Sequence, residues 1–391
     1  MYIDLTAAYD HIPRDFLFRV VQLRTGANHL VNIFRKMYEN TTASIRGMNS
    51  KFDVGIGCRQ GGQESPVLFN YYFDFVLKVA ANAIDEAFPD GWGINMKYNI
   101  PHTCTNREQR QEGRMSGKEI IQWILYADDL VLFCKSVAEA EQLLNIINDT
   151  CLRFGLTISF KKTKTQVFNN TLLASESSLF SIGGNIIENI RSFVYLGQST
   201  SNEEKGCFTE HRIARATAKF NEFRKVLTDS RVNMYTRRKI LYASVRSRLT
   251  FGTQACLPKE HQMKKLEACW AECLRSMVGG GWRRKKTEAD EEENYSFVYT
   301  NDDVMKITKA APLRNYVYAQ YLKYIGHICR SNNTSIVKKI FFSHPTRDYF
   351  RNPWIKISDL LGVSEDQAKR MTQSKHEFAE LIRKQVSSTP W

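Results

Sequence analysis

The segment Ile120–Phe133 constrains the fold more than any other part of the chain. It is an apolar run, IIQWILYADDLVLF, interrupted near its middle by two adjacent carboxylates, Asp128 and Asp129. The pattern reads as a β-hairpin with Ala127-Asp128-Asp129 at its tip. Two like charges beside apolar strands are costly unless a cation or a cluster of donors sits with them. A magnesium ion is well suited, because it takes one or two carboxylates and completes its shell with substrate phosphates. Asp4 ends another predicted strand, Tyr2–Leu5, and completes a set of three if the two strands are neighbours. Three carboxylates around two Mg²⁺ ions form a site for in-line displacement at phosphorus. Taken alone, the pair also reads as a polar turn, where aspartate is favoured by turn geometry.

Around this hairpin the first 200 residues mix strands and helices. Pro13 opens a helix to about Leu23, and a second runs from His29 to Tyr38. Ser44–Gly57 reads as a short hairpin. Ser65 and Pro66 make an N-cap and first-turn pair for a long buried helix through Leu68, Phe69, Tyr72, Phe73 and Val76. Residues 89–118 are polar and read as an insertion, with short strands only around Gly93–Asn99. Ser136 and Glu139 form a capping box for a helix that ends near Gly155. Strands are expected at Thr157–Phe160, Thr165–Asn169 and Phe193–Gly197, with a hairpin around Leu179–Ile187. From Thr209 the pattern is helical: Thr209–Leu227, Met234–Thr250, Glu260–Met277 and Leu313–Arg330. Gly279–Gly281, the basic Arg283–Lys286 and the acidic Glu288–Glu293 mark a linker. The succession predicts an α+β domain followed by an all-α one. The boundaries expected are 1–200, 201–280, and 281–391 for the linker and C-terminal helical region.

The net charge of +14 is concentrated. Between Cys207 and Lys286 there are 19 Lys and Arg against 6 Asp and Glu, or 19 − 6 = +13. A solvated helical surface could carry such a run, but a local excess of this size points to a polyanion, nucleic acid ahead of a membrane surface. No apolar run approaches the ~18 residues of a membrane helix, and the charged first 30 residues do not read as a secretory signal. Nine cysteines without a CxxC pair fit a reducing, intracellular compartment. Cys269 and Cys273, four apart in a helical pattern, read as one packed helix face rather than half a zinc site.

Five segments, in order, carry a family resemblance. Tyr126-Ala127-Asp128-Asp129 resembles the YxDD motif of reverse transcriptases. YIDLTAAYDHI (Tyr2–Ile12) resembles the first palm motif of that family, and GCRQGGQESPVLFNYYFD (Gly57–Asp74) its RQG…SPxLFN loop and helix. GLTISFKKTK (Gly155–Lys164) resembles GLxINxxKT, with Ser159 where asparagine is common. FVYLG (Phe193–Gly197) resembles the hairpin that grips the primer terminus. The loop-and-helix segment and the helical region to about Arg330 are most similar to non-LTR, LINE-type retrotransposon enzymes.

This resemblance implies a right-hand polymerase palm, an antiparallel sheet with helices on one face, followed by a thumb-like helical region. It implies an RNA-directed DNA polymerase taking an RNA template, a DNA primer and dNTPs, with two Mg²⁺ (or Mn²⁺) ions. Asp4, Asp128 and Asp129 would be the metal ligands, assisted by the Leu5 carbonyl. Tyr9 would stack under the deoxyribose and exclude a 2′-hydroxyl, or else be a core tyrosine beside Ala8. Gln60 and Gly61 would lie beside the nascent base pair. Lys162 would face the triphosphate, or else end a solvated lysine-rich strand. Tyr195, Leu196 and Gly197 would grip the primer, and Arg212, Arg215, Lys219, Arg237, Arg238 and Lys239 would track phosphates. The family also implies action in the nucleus. The family's fingers precede the Asp4 strand, whereas this chain opens three residues before Asp4. A palm beginning there is expected to be poorly soluble. A non-catalytic remnant that only binds nucleic acid is the second reading, distinguished by whether a primer is extended.

Overall fold

The computed structural model describes residues 1–45, 47, 50–59, 61–100, 116–168, 178–182, 185–201, 207–279, 282–284, 295–297, 299–343 and 353–386. The chain divides into two compact units, Met1–Met96 with Glu119–Arg191, and Lys97–Lys118 with Ser192–Trp391.

The first unit begins with β1 (Tyr2–Ile3), α1 (Arg14–Thr25) and α2 (Asn28–Tyr38), then a small hairpin, β2 (Thr42–Ser44) and β3 (Lys51–Asp53). Next is α3 (Ser65–Ala87), which buries Leu68, Phe69, Tyr72, Phe73, Val76, Leu77, Ala80 and Ile84 along one face. Ser65 does not cap this helix from outside. It is the first helical residue, and its hydroxyl donates to Arg59 O at 2.6 Å, fastening the preceding loop instead. A ribbon follows, β4 (Ile94–Asn99) with β5 (Ser116–Ile121), which the division into units cuts across. The polar composition of β5 hid it from a hydropathy reading. Much of the expected insertion, 101–115, lies outside the described residues.

The apolar hairpin forms as β6 (Trp123–Tyr126) and β7 (Asp129–Leu132), a pairing of Trp123 with Leu132 through Tyr126 with Asp129. Then come α4 (Val137–Arg153), β8 (Lys164–Thr165), β9 (Ser178–Ile182) and β10 (Asn185–Asn189). The Ser136 hydroxyl accepts from Glu139 N at 3.1 Å. Glu139 in return accepts from Lys135 N, so the box is shifted by one residue at its reciprocal bond. Gly155, at φ 74°, supplies the left-handed turn just past α4. The expected strand Thr157–Phe160 is reduced to one bridge, Ile158 against Leu5.

The sheet order is β6-β7-β1-β8-β10-β9. It is antiparallel except between β8 and β10, where Glu188 pairs with Lys164 in parallel. The sheet is thus antiparallel, as the resemblance implies, with this one parallel pair added. Ile3, Leu130 and Leu132 are buried in one core with Leu17 and Val20 of α1, Phe69 and Tyr72 of α3, and Leu143 and Leu144 of α4.

The second unit opens with a hairpin, β11 (Ser192–Tyr195) and β12 (Gln198–Ser201). Helices follow: α5 (Cys207–Glu222), α6 (Arg224–Leu227) and α7 (Met234–Leu241). A π-helical turn, Tyr242–Arg246, joins α7 to α8 (Ser247–Leu249), and α9 (Glu260–Val278) comes next. Gly279 ends α9 at φ 73°. Gly280, Gly281, Lys285 and Lys286 of the expected linker, and the acidic run, lie outside the described residues. The short pair β13 (Trp282–Arg284) and β14 (Tyr295–Phe297) brackets that run. The chain continues through α10 (Asn301–Thr308), α11 (Leu313–Arg330), α12 (Ile336–Phe341), α13 (Pro353–Leu361), α14 (Glu365–Met371) and α15 (Lys375–Val386). Two cores hold these helices, one centred on Trp270 and Leu274 of α9, the other on Leu322 and Ile325 of α11. No helix among the described residues is long and apolar enough to cross a membrane.

Candidate functional site

Register brings the three carboxylates of the first unit to one place. In the β1–β7 pair Tyr2 opposes Val131 and Ile3 opposes Leu130. One step further along this antiparallel register, Asp4 stands across from Asp129. Side chains alternate between faces along a strand. Since Ile3 and Leu130 are in the core, Asp4 and Asp129 leave by the other face. Asp128 precedes Asp129 in a two-residue turn whose other residue, Ala127, has φ 53°. Holding a non-glycine residue there costs about 1–3 kcal/mol. The rigid sheet below sustains that strain and fixes the two carboxylates in a tight tip.

The electrostatics record the crowding. Burial, followed by the charges of Asp128 and Asp4, raises the Asp129 carboxyl above its ordinary range. Lys162 Nζ lies 3.3 Å from Asp4 Oδ2. This is an ion pair, not an aligned hydrogen bond, and Asp4 Oδ2 is a buried oxygen with no hydrogen-bond donor. The Asp4 backbone is fixed by Ser159 N donating to its carbonyl at 2.8 Å. Among the described residues no three His, Cys, Asp or Glu side chains already close into a metal cage. Such closure is not required, because magnesium relies on few carboxylates and on substrate oxygens. Hard oxygen donors, an oxygen lacking a donor and a raised carboxyl all fit a divalent cation. Asp4, Asp128 and Asp129 are the residues that could hold one.

Beside the carboxylates stands Tyr9. Its ring stacks on Phe69 of α3, with centroids 4.4 Å apart and planes 15° apart. Its phenol is raised first by burial, then by Asp128, then by Cys58. The ring is therefore held flat against the long helix while its hydroxyl senses the hairpin tip. Tyr9 O accepts from Cys58 N at 2.7 Å, and Gly57 N donates to Ile12 O at 2.8 Å. A Cβ on Gly57, where φ is 81°, would meet Asp10 O at 2.7 Å, so this close approach demands glycine. The loop carrying Arg59 is thus bound to the segment carrying Tyr9. Gly61, at φ 85°, faces open space, and Gln60 lies outside the described residues.

Arg14 anchors the same loop, and no spacing in the sequence marks it. Its Nε donates to Gly57 O at 2.9 Å, and one terminal nitrogen to Tyr38 O, Thr41 Oγ1 and Val54 O at 3.2, 2.6 and 2.6 Å. Its guanidinium also lies 5.1 Å from the Tyr38 ring centroid, with Arg59 at 5.4 Å from the same ring. One side chain on α1 therefore joins the end of α2, the β2–β3 hairpin and the Gly57 loop.

In the second unit the turn between β11 and β12 consists of Leu196 at φ 48° and Gly197 at φ 77°. Two successive positive φ values give the tight turn that matches strand twist. The six basic helix positions separate by environment. Arg215 and Lys239 are exposed. Lys219 is engaged by Glu222 at 2.6 Å. Arg212 is buried, with its guanidinium over the Phe251 ring and donating to Gln198 Oε1.

Arg237 and Arg238 are held within the helical region itself. Arg237 is buried and donates to Met277 O at 2.7 Å in the last turn of α9. Arg238 donates to Thr308 O at 2.9 Å, at the end of α10. Both cap helix C-termini, where a cation meets free carbonyls. Cys269 and Cys273 are buried on α9, as one packed face.

The first unit thus presents paired carboxylates at a hairpin tip, a third on the adjacent strand and a long helix packed in the same core. Residues 1–200 match the family described as reverse transcriptase (RNA-dependent DNA polymerase), and the chain belongs to that family. By family it is an RNA-directed DNA polymerase. That family uses divalent metal ions, nucleic-acid template and primer, and dNTPs. The chain is also 24% identical over 220 residues to a transposon-derived protein of Caenorhabditis elegans, a match covering 56% of this chain and 74% of that relative.

Proposed function

We propose that this chain supplies the palm and thumb-like region of a non-LTR, LINE-type reverse transcriptase, extending a DNA primer on an RNA template. The observation that carries the reading is the β1–β7 register, which aligns Asp4 with Asp129 next to Asp128 on one open face. Magnesium or manganese held by these carboxylates, with the Leu5 carbonyl as a further oxygen, would polarise the primer 3′-hydroxyl and neutralise charge on departing pyrophosphate. Lys162, paired with Asp4 at 3.3 Å, would release it and meet the triphosphate, where a cation assists the leaving group. Tyr9, backed by Phe69, bars a 2′-hydroxyl. The Gly57–Gly61 loop, with Gln60, lies against the nascent pair. Tyr195, Leu196 and Gly197 position the primer strand. Arg212, Arg215, Lys219 and Lys239 supply cationic contacts that give affinity without sequence choice. The palm is assigned to residues 1–200, the thumb-like region to 201–280 and a further helical region to 281–391. The transposon-derived relative supports the mobile-element setting, for which action on nuclear DNA is the natural consequence.

Primer extension tests this directly. Purified protein with a DNA-primed RNA template, dNTPs and Mg²⁺ or Mn²⁺ is expected to lengthen the primer, and chelation is expected to abolish the product. Folded protein that shifts the template–primer but extends nothing under either metal would leave only the nucleic-acid-binding remnant.

A further inference from the structure

Tyr38 ends α2 and is only 4% exposed, yet its hydroxyl meets three groups of a single loop. It donates to Glu64 Oε1 at 3.2 Å, lies 3.3 Å from Ser65 Oγ and accepts from Arg59 N at 3.3 Å. Ser65 directs its own proton to Arg59 O at 2.6 Å, so toward Tyr38 it is a second acceptor. A phenol has a single proton to donate, which Glu64 and Ser65 therefore share. Arg59 O also accepts from Gly62 N at 3.2 Å, and Gly62 O from Ser65 N at 3.3 Å. The loop between Arg59 and Ser65 is thus tied at both ends to one buried oxygen.

The post itself is rigid. The Tyr38 ring meets Phe18 edge-on with centroids 5.7 Å apart, and the guanidiniums of Arg14 and Arg59 lie 5.1 and 5.4 Å from its centre. Burial pushes the phenol above its ordinary value, so it stays protonated. Glu64 is folded back over Gly62, where a Cβ would meet Glu64 Oε1 at 2.6 Å and Ser65 Oγ at 2.8 Å. A side chain at position 62 would therefore lift both acceptors off Tyr38. A buried tyrosine in a core needs only one partner to satisfy its hydroxyl. Here three partners come from one loop, and that loop carries Gln60 and Gly61.

We propose that Tyr38, with Glu64 as its acceptor, is a positioning residue for the incoming nucleotide. It touches no substrate and acts by holding the Arg59–Ser65 loop in one place. The proposal rests on the reading that this loop lies against the nascent pair. Arg14 fixes where the loop begins, at Gly57; Tyr38 fixes its span. A loop already in place binds a nucleotide without first being ordered, whereas a loosened one binds only from the fraction of molecules that hold it correctly. Once the nucleotide is bound the geometry is the same in both cases. Loss of the post should therefore appear in KM for dNTP and not in kcat.

The test compares Y38F, E64A, E64Q and Y38F/E64A with the wild type, each as the full chain, by primer extension at varied dNTP. Y38F keeps the ring against Phe18 and the two guanidiniums and removes only the oxygen. Its KM is expected to rise roughly three- to tenfold, the scale of one net hydrogen bond, with kcat and template–primer affinity unchanged. E64A is expected to raise KM less, because Ser65 Oγ can still take the proton, and the double variant to go no further than Y38F. E64Q keeps an acceptor oxygen and is expected to retain the wild-type KM. Hydrogen exchange in the Gly57–Ser65 peptide is expected to quicken in Y38F and to stay as in the wild type in E64Q, which reads the loop without turnover. An unchanged KM in Y38F, a fall in kcat in its place, or additive effects in the double variant would overturn the proposal. Faster exchange spread over the whole first unit would overturn it too, marking a merely structural tyrosine. A wild type that extends nothing sinks the polymerase reading and this role with it, whereas an active wild type with an unaffected Y38F sinks this role alone.

Discussion

Replacing Arg14 by methionine keeps the aliphatic stem and removes only the guanidinium, so its consequence can be worked out bond by bond. Four hydrogen bonds vanish, to Gly57 O, Tyr38 O, Thr41 Oγ1 and Val54 O. Their losses are unequal. Thr41 Oγ1 still donates to Val54 O at 2.8 Å, and can reach Tyr38 O at 3.3 Å, so these carbonyls keep a local partner. Gly57 O loses its donor outright. An orphaned half-buried carbonyl costs about 1–3 kcal/mol, and the lost charged bonds to the retained partners add little more. About 2 kcal/mol is therefore expected, which for a unit of this size lowers Tm by about 4–8 °C. The consequence for function is specific. Gly57 leads into the loop proposed to contact the nucleotide, so KM for dNTP is expected to rise several-fold while kcat changes little. Circular dichroism melting and steady-state extension at varied dNTP read the two quantities. An unchanged Tm would refute the bond count, and a fall in kcat at constant KM would refute the positioning role.

Further outcomes follow from the same geometry. The Asp129 carboxyl is raised in the folded chain, so its contribution favours folding at pH below the ordinary aspartate value and is lost as pH rises through the folded value. Because solvent reaches the site the effect is below about 1 kcal/mol. Mg²⁺ is expected to stabilise the wild type, and Asp129→Asn is expected to raise Tm slightly at pH 7 and to abolish that Mg²⁺ effect, both seen by melting. Tyr9→Val removes the ring stacked on Phe69 and is expected to raise ribonucleotide incorporation; unchanged sugar discrimination in single-nucleotide extension would sink that role. Arg237→Leu is expected to cost about 1–2 kcal/mol through the lost α9 cap, without altering the salt slope of binding. Lys239→Gln, by contrast, is expected to leave Tm alone and weaken binding at low salt.

The parts of the fold that could be read from residues are those where a local pattern has one solution. The apolar run broken by Asp128–Asp129 leaves a tight hairpin as the cheapest arrangement, and α3 follows from an unbroken buried stripe behind Pro66. Gly155 marked a helix end because left-handed backbone suits glycine, and Gly279, read as the start of a linker, ends α9 in the same way. The failures share a cause as well. Strand β5 is polar and pairs with β4 across a long sequence gap, so nothing local announces it. The parallel β8–β10 pair depends on where two distant segments meet. Arg237 and Arg238 look like any surface cations. Their role as caps appears only when the ends of α9 and α10 are seen beside them. Arg14 is similar, since its four acceptors come from three separate segments.

The central claim is that Asp4, Asp128 and Asp129 act as one metal-dependent unit. Single-turnover primer extension by the wild type beside Asp4→Asn, Asp128→Asn and Asp129→Asn, with folding and template–primer binding verified for each, tests it most directly. The account predicts that every variant binds template–primer as the wild type does and loses extension by at least about a thousandfold, as groups acting together do. Extension near the wild-type rate in any one of the three folded variants would contradict it.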